Sequence, residues 1–320
     1  MMIELDRQFY EEQVAPMIRE RFPAYEGRIA VGVAGEGSDC FGYDDEISRD
    51  HDFGIGVCLW LTEEDAKVIG PGLQEAYRES LEEWLRGRPF SPGSPEALSG
   101  RLLTRRGVQP IPQFYYNNLG YRIDPEKPVV TDGIWFYTEE WRFAAAVNGA
   151  VFRDDLGQFS RIRELLLGYY PERIRRMRLA NALHDYAAAM QANYARCMVR
   201  RDPVAASCCR TRSIDAAMNI LFLIRRRYAP YYKWKFRAFR ELEGSAPLIG
   251  LLEEAAVLPP DPAAWEGVVY DARTVNRADR LVVIFEEIAE ILAGELRRAG
   301  LSHSNEIFLE AHATEVSRGV

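Results

Sequence analysis

A Gly-Ser pair followed at a short distance by two aspartates is the part of the sequence best suited to chemistry. Eleven residues separate Ser38, which follows Gly37, from Asp50, and Asp52 comes one residue further on. In an extended chain Asp50 and Asp52 point to the same face, with their Cα atoms about 7 Å apart. Carboxylates are ligands that Mg²⁺ prefers, and glycines let backbone amides approach a phosphate closely. The pattern indicates a site for phosphate and a hard cation.

Regular elements are predicted on both sides of this stretch. Residues 4–22 space apolar side chains at helical intervals and lead into a strand at 28–33. Residues 53–61 are mostly apolar and are predicted to form a second strand. Thr62, followed by three acidic residues, is typical of a helix N-cap, and the helix is expected to reach about residue 86.

The next three segments have weaker patterns. Residues 87–100 are rich in Pro, Gly and Ser, which predicts a surface loop. Residues 107–116 have strand-forming side chains but two prolines, so we place them at a sheet edge. Residues 128–137 are compatible with a strand or a turn.

The second half of the chain is predicted to be helical. Apolar residues recur at helical spacing in the ranges 161–167, 171–194, 202–228, 233–241 and 276–299. The predicted class is therefore α+β, with a mixed-sheet domain at residues 1–145 and an all-α helical bundle at residues 146–320.

Composition is that of a globular protein large enough for two domains. The 320 residues are 48% hydrophobic and 28% charged, and no run of eighteen apolar residues occurs. Because the first residues are polar and acidic, we expect neither a membrane span nor a signal peptide. The five cysteines have no zinc or disulfide spacing, which favours a reducing cytoplasm. The net charge of −8 argues against a general nucleic-acid coat but leaves a local basic groove open.

Two common nucleotide-binding patterns are absent. Gly32, Gly35 and Gly37 give GxxGxG, which is not the dinucleotide-binding order. The P-loop pattern GxxxxGK[ST] does not occur. The Gly-Ser pair and the two aspartates therefore need a different explanation.

A Gly-Ser pair, eleven residues and then Asp-x-Asp at a strand start resembles the signature of the DNA polymerase beta-like nucleotidyltransferase superfamily. The layout also resembles its aminoglycoside and lincosamide nucleotidyltransferases, in which a minimal catalytic domain precedes a helical domain. The longer form GSDCFGYDDEISRDHDFG is most similar to an uncharacterised bacterial branch. The pieces NGAVFRDDLGQFSRIRELLLGYYP and RRYAPYYKW resemble that branch as well.

The resemblance implies roles for the matching positions. Gly37 and Ser38 would hold the β- and γ-phosphates of a nucleoside triphosphate, and Asp50 and Asp52 would bind Mg²⁺ or Mn²⁺. The expected reaction is attack by a hydroxyl of a small-molecule acceptor on the α-phosphorus, with release of pyrophosphate. ATP is the expected donor, so AMP would be transferred.

Active members of the superfamily usually carry a third carboxylate on a following strand. The strand predicted at 107–116 carries Gln109 and Gln113 and no acid. Glu139 and Glu140 follow an apolar run and rank above Asp124 as candidates for this carboxylate.

Lys233 is a further candidate, because a lysine among aromatic residues could reach a phosphate. The alternative for its segment is a packed aromatic corner.

Two other functions stay open. The acceptor could be a protein or a tRNA instead of a small molecule. Without a third carboxylate, the chain could also be a non-catalytic nucleotide sensor.

Overall fold

The computed structural model describes residues 2–49, 54–86 and 105–319. The chain divides into two compact units, Met1–Gly168 and Tyr169–Val320. Residues 150–153 belong to the sheet of the first unit, so the domain boundary predicted at residue 145 falls inside that unit. The loop predicted at 87–100 lies outside the described residues.

A mixed four-stranded sheet forms the centre of the first unit, and its order is β3-β2-β1-β4. The strands are β1 Ala30–Val33, β2 Cys58–Leu61, β3 Gly107–Pro110 and β4 Ala150–Arg153. β1 is antiparallel to both of its neighbours, whereas β3 runs parallel to β2. The position of β3 at an edge agrees with its proline content. A mixed sheet accompanied by many helices confirms the α+β class.

Helices precede and follow these strands along the chain. They are α1 Met2–Phe9, a π-helical turn Tyr10–Val14, α2 Ala15–Arg21, α3 Glu63–Leu85, α4 Ile111–Leu119, α5 Asp132–Tyr137, α6 Glu140–Val147 and α7 Gln158–Leu167. Thr62 caps α3 as predicted, because its hydroxyl accepts a hydrogen bond of 3.0 Å from the amide of Asp65. Asp65 in turn accepts two hydrogen bonds from Arg28, at 2.9 and 2.8 Å, which connect the start of α3 to the chain entering β1.

Two segments differ from their predictions because helix-start signals prevail over strand-forming side chains. The segment 107–116 is a strand only as far as Pro110, and α4 begins at the next residue. Pro112 lies in the first turn of α4, where a missing amide hydrogen costs nothing. In the segment 128–137, Thr131 caps α5, so the apolar run after it is helical.

The two faces of the sheet pack against different helices. Leu59 and Leu61 belong to the core cluster that contains Phe9 of α1 and Tyr77 of α3. Between them, Trp60 faces the opposite side, where its ring stacks on Phe159 of α7 at 3.6 Å between centroids. The sheet is therefore covered on both faces, which explains why β2 is buried at every position.

The second unit is helical throughout its regular elements. They are α8 Glu172–Tyr186, a π-helical stretch Ala187–Tyr194, α9 Ala195–Val199, α10 Pro203–Ile224, α11 Tyr232–Arg240, α12 Ala246–Val257, α13 Arg280–Arg298 and α14 Leu309–Arg318. The predicted helical ranges correspond to α7, α8 with the π-helical stretch, α10, α11 and α13. The periodicity did not reveal α12 and α14. Within the described ranges, no helix has both the length and the apolar content needed to cross a membrane.

The chain enters β4 through Gly149, which leads to a test of the β1–β4 packing. A Cβ on Gly149 would lie 1.9 Å from the carbonyl oxygen of Val33, at a φ of +65°. Gly157 has almost the same φ, +66°, with no atom within 4 Å of the corresponding Cβ. Gly157→Ala should cost about 1 kcal/mol of unfolding free energy for the left-handed backbone alone. Gly149→Ala should cost about 2–3 kcal/mol more, because backbone must also move. Urea unfolding measures both, and equal losses would contradict the close approach at Gly149.

Candidate functional site

The Gly-Ser pair lies in a tight turn directly after β1. Gly37 has a φ of +138°, and a side chain there would meet the carboxylate of Asp39 at 2.4 Å. Ser38 leads into a short 3₁₀ turn, and its carbonyl accepts a hydrogen bond of 2.8 Å from the amide of Tyr43. Within the described part of the chain, the Ser38 hydroxyl has no hydrogen-bond partner. The turn therefore offers an uncommitted hydroxyl beside a glycine that can have no side chain.

A buried ion pair fixes this turn. The guanidinium of Arg106, the residue before β3, donates from Nη2 to Asp39 Oδ2 at 2.5 Å. The two side chains are only 4% and 6% exposed. Arg106 also donates to the carbonyl of Ala34 at 3.3 Å and contacts the Cys40 sulfur at 3.2 Å. The guanidinium thereby holds both ends of the Gly-Ser turn.

The same arginine packs against the chain that follows Asp52. A Cβ placed on Gly56 would lie 3.3 Å from Arg106 Cγ, and Arg106 Nη1 is 4.0 Å from the sulfur of Cys58. Next to this contact, the amide of Val57 donates to Tyr77 Oη at 3.0 Å. The Gly-Ser turn and the start of β2 therefore meet at one buried guanidinium.

Asp50 and Asp52 themselves lie outside the described residues. The chain on either side of them is described: a 3₁₀ turn over Ile47–Arg49, and irregular residues 54–57 that lead into β2, so the strand predicted at 53–61 begins only at Cys58. Within the described ranges, no group of three or more His, Cys, Asp or Glu side chains is arranged to hold a metal ion. The metal-binding role of the two aspartates stays a prediction.

A second buried carboxylate lies close to this ion pair. Asp6 of α1 is fully buried, and its Oδ1 accepts a hydrogen bond of 2.9 Å from the amide of Gly56. Burial raises the pKa of Asp6 from its ordinary value of 3.8 to about 7. Arg106 and the hydrogen bond from Gly56 oppose the rise, whereas Asp39 and Asp44 add to it. Among these groups Arg106 carries the only positive charge, and it already pairs with Asp39. The neutral form of the Asp6 carboxyl is therefore favoured.

Asn148 is a site residue that the sequence did not reveal. Its side-chain amide forms two hydrogen bonds with the backbone of Gly35: Oδ1 accepts from the amide at 2.9 Å, and Nδ2 donates to the carbonyl at 2.8 Å. The next residue, Gly149, donates its amide to the carbonyl of Cys40 at 2.9 Å. The segment entering β4 therefore clasps the Gly-Ser turn before and after Ser38. The only sequence signal is the Asn-Gly dipeptide in the resembling piece NGAVF.

The candidates for the third carboxylate lie on helices or turns instead of a strand. Glu139 is the exposed N-cap residue of α6, and Glu140 is its first residue. The Glu139 carboxylate lies 3.6 Å from Arg142 of the same helix. Asp124 is exposed in a turn and accepts the amide of Glu126. Among the contacts of the described residues, none joins these three carboxylates to the ion pair of Arg106 and Asp39.

Lys233 lies in the second unit, near the start of α11. Its side chain is exposed, and Nζ lies 5.4 Å from the centroid of the Trp234 ring. Lys235, two residues on, is committed elsewhere, because it donates to Asp215 at 2.6 Å and to Asn219 at 3.0 Å. The aromatic neighbour expected for Lys233 is present, and its role toward a phosphate stays a prediction.

A small pocket opens beside the Gly-Ser turn. Its volume is about 110 Å³, and it is lined among others by Gly35, Glu36, Arg105, Gln109 and Asn118. Glu36 directly precedes Gly37, and Gln109 lies on β3. The pocket therefore adjoins the turn that would hold a triphosphate.

Comparison with known proteins gives one match. Residues 135–235 match a family model described as a domain of unknown function (DUF4037). The matched range includes Asn148 and Gly149, which clasp the Gly-Ser turn, and ends with the segment that contains Lys233. No curated protein and no solved structure matches the chain. The resemblance to nucleotidyltransferases therefore stays a prediction.

The buried Asp6 predicts a pH dependence of stability. Its pKa is higher in the folded protein than in the unfolded chain, so the proton stabilises the fold. This contribution is complete below about pH 4 and is lost as the pH rises through 7. Asp6→Asn keeps an acceptor for the Gly56 amide but cannot ionise. The unfolding free energy of the wild type, minus that of Asp6→Asn, should fall between about pH 4 and 7 in urea titrations.

Glu4→Gln, an exposed carboxyl-to-amide change on the same helix, controls for net charge. A wild type and an Asp6→Asn variant that respond identically to pH would contradict a neutral buried Asp6.

The clasp of Asn148 on Gly35 can be tested by hydrogen exchange. Asn148→Ala removes both hydrogen bonds and should lower the unfolding free energy by about 1–3 kcal/mol. The amide of Gly35 should then exchange at least tenfold faster in the native state. Asn117→Ala, which removes one exposed side-chain hydrogen bond from Gln113, is the control and should change stability by less than about 0.5 kcal/mol. Unchanged Gly35 exchange would rule out the clasp.

Proposed function

We propose that this protein is a Mg²⁺-dependent nucleotidyltransferase that transfers a nucleoside monophosphate, AMP, from ATP to a hydroxyl of a small acceptor. The observation that carries the proposal is the convergence at Arg106. The guanidinium fixes the Gly37-Ser38 turn through Asp39 and packs against Gly56, four residues after Asp52. The described residues Asp39 and Gly56, which flank the two halves of the sequence signature, thus both contact Arg106.

The turn supplies the groups that would bind the triphosphate. Backbone amides around Gly37 and the free Ser38 hydroxyl are suited to the β- and γ-phosphates, because no side chain of Gly37 blocks their approach. Asp50 and Asp52 provide the oxygen ligands that Mg²⁺ prefers, and the cation would offset the negative charge of the phosphates. Arg106 is buried, and its two terminal nitrogens contact Asp39, Ala34 and Cys40, so its role is to position the turn.

The reaction itself is a substitution at the α-phosphorus. An acceptor hydroxyl oxygen forms the new bond to this phosphorus while the bond to the bridging oxygen of the β-phosphate breaks. Pyrophosphate leaves, and the hydroxyl proton passes to a base. Catalysis of this kind depends on positioning and charge more than on covalent chemistry by the protein. A turn held by a buried ion pair and a side-chain clasp suits that requirement.

A non-catalytic nucleotide sensor is the second candidate. It is favoured by the residues of β3, which carry no carboxylate. A strand without a carboxylate cannot accept the proton of the acceptor hydroxyl. The two candidates differ in whether bound triphosphate is ever cleaved.

Binding and turnover together test these proposals. With Mg²⁺, ATP should raise the melting temperature, because a ligand that binds only the native state stabilises it. Asp50→Asn/Asp52→Asn should weaken binding at least tenfold. The control Glu82→Gln/Glu83→Gln changes the charge equally at exposed positions of α3 and should bind as the wild type does. Unchanged binding by the Asp50 and Asp52 double variant would overturn the site.

Turnover is followed with ATP labelled at the α-phosphate, incubated with small-molecule extract or with whole lysate. Label in a small molecule, with pyrophosphate released, supports the transferase. Label in a protein or RNA band would replace the small acceptor by a macromolecule. Binding without any release of pyrophosphate would favour the sensor.

A further inference from the structure

The pocket beside Gly35 contains polar groups that have no partner among the described residues. Asn118 of α4 is only 7% exposed, and its Nδ2 donates to the carbonyl of Phe114 at 2.9 Å. The other end of this amide, Oδ1, has no described hydrogen-bond donor and lies 3.7 Å from where a Cβ of Gly35 would be. A ligand hydroxyl in the pocket can therefore donate to this oxygen, which keeps an acceptor site toward the pocket.

Gln109 adds a second uncommitted amide. It is half-buried on β3, and its side chain makes no hydrogen bond to another described residue. A primary amide offers an acceptor oxygen and two donor hydrogens side by side. A hydroxyl group also both donates and accepts, so amides and neighbouring hydroxyls match each other well.

The charges of the pocket favour a neutral ligand. Glu36 and Arg105 both line it, and their closest atoms are 3.4 Å apart. Their formal charges are opposite, so this pair by itself favours neither a cation nor an anion. The Glu36 carboxylate is 47% exposed and keeps acceptor sites for further donors, because its two oxygens have about four lone-pair positions.

The size and position of the pocket restrict what it can hold. Its volume of about 110 Å³ is well below the roughly 300–1,000 Å³ of sites for drug-sized ligands. One ring or one arm of a ligand fits, and a whole nucleoside triphosphate does not. Glu36 is the neighbour of Gly37, so a bound group lies next to the turn assigned to the phosphates.

We propose that this pocket binds a neutral polyhydroxylated ring, such as a sugar or a cyclitol, and that this ring belongs to the acceptor of the transfer reaction. The second half of this statement rests on the proposed function. Asn118 Oδ1 and the Glu36 carboxylate accept from ligand hydroxyls, while the Gln109 amide both donates and accepts. Phe114, which is buried beneath them, gives the pocket an apolar floor.

Ligand-observed saturation-transfer NMR without nucleotide tests the binding. The probes are glucose and myo-inositol, with glucosamine and glucuronate as cationic and anionic comparisons. The neutral probes should give saturation transfer, and the charged probes should bind no more than a few-fold differently. Absence of transfer from both neutral probes would overturn the proposal, as would binding of glucosamine or glucuronate that is tenfold tighter.

Variants locate the binding in the pocket. Gln109→Met keeps the side-chain length without the amide and should weaken the neutral probes about tenfold, since a polar site loses its hydrogen bonds to the ligand. Glu36→Gln should weaken them less, because the amide keeps an acceptor. Gln113→Met and Glu63→Gln, two matched changes outside the pocket, should leave binding as in the wild type. Unchanged binding in Gln109→Met would overturn the pocket assignment.

Failure of the proposed function and failure of this inference give different results. If neutral probes bind but neither they nor larger sugars acquire label from α-labelled ATP, the pocket stands and the acceptor assignment fails. If labelled products form while neutral probes never bind, the transferase stands and the pocket proposal fails. Asp50→Asn/Asp52→Asn should lose triphosphate binding and keep the neutral probes, because the groups assigned to the neutral ring are Asn118, Glu36 and Gln109.

Discussion

The buried ion pair between Arg106 and Asp39 is the interaction on which the candidate site depends. Removing two charges from water is costly, so such a pair persists only when additional contacts satisfy its groups. The carbonyl of Ala34 and the sulfurs of Cys40 and Cys58 supply these contacts. Removal of one partner would leave an uncompensated buried charge, at a cost of about 3–5 kcal/mol. The geometry of the turn is therefore tied to the stability of the first unit.

Three segments that are distant in sequence are held together in this way. The turn after β1 provides Asp39, the residue before β3 provides Arg106, and the segment entering β4 provides the Asn148 clasp on Gly35. The turn has little regular structure of its own, so its backbone groups must find partners elsewhere. The sheet order β3-β2-β1-β4 places those partners on both sides of β1. The result is a rigid frame for a segment whose chemistry requires a precise shape.

The position before β3 gives the site its distinctive electrostatic character. The nucleotidyltransferases that the Gly-Ser and Asp-x-Asp pattern resembles usually have a third carboxylate on a following strand, whereas here two arginines lead into β3. Arg106 cannot act as a base, because its guanidinium stays protonated. Its guanidinium instead pairs with the Asp39 carboxylate in the interior, while burial raises the pKa of Asp6, which has no such partner, to about 7. One guanidinium thus pairs with one of two nearby buried carboxylates.

Local patterns in the sequence determined much of the fold. Apolar periodicity predicted α8, α10 and α13, the acidic residues after Thr62 predicted α3 and its cap, and prolines predicted the edge position of β3, because these features depend on neighbouring residues. The Gly37-Ser38 and Asp50-x-Asp52 signature also requires no knowledge of contacts. Pro112 and Thr131, at the starts of α4 and α5, are local signals too, although strand-forming side chains outweighed them in the prediction. The tertiary structure alone decided that β4 completes the sheet and that Arg106 and Asn148 hold the turn. Asn148 lies 113 residues from its partner Gly35. The pairing of the strands determines such a contact, and no local pattern of side chains predicts it.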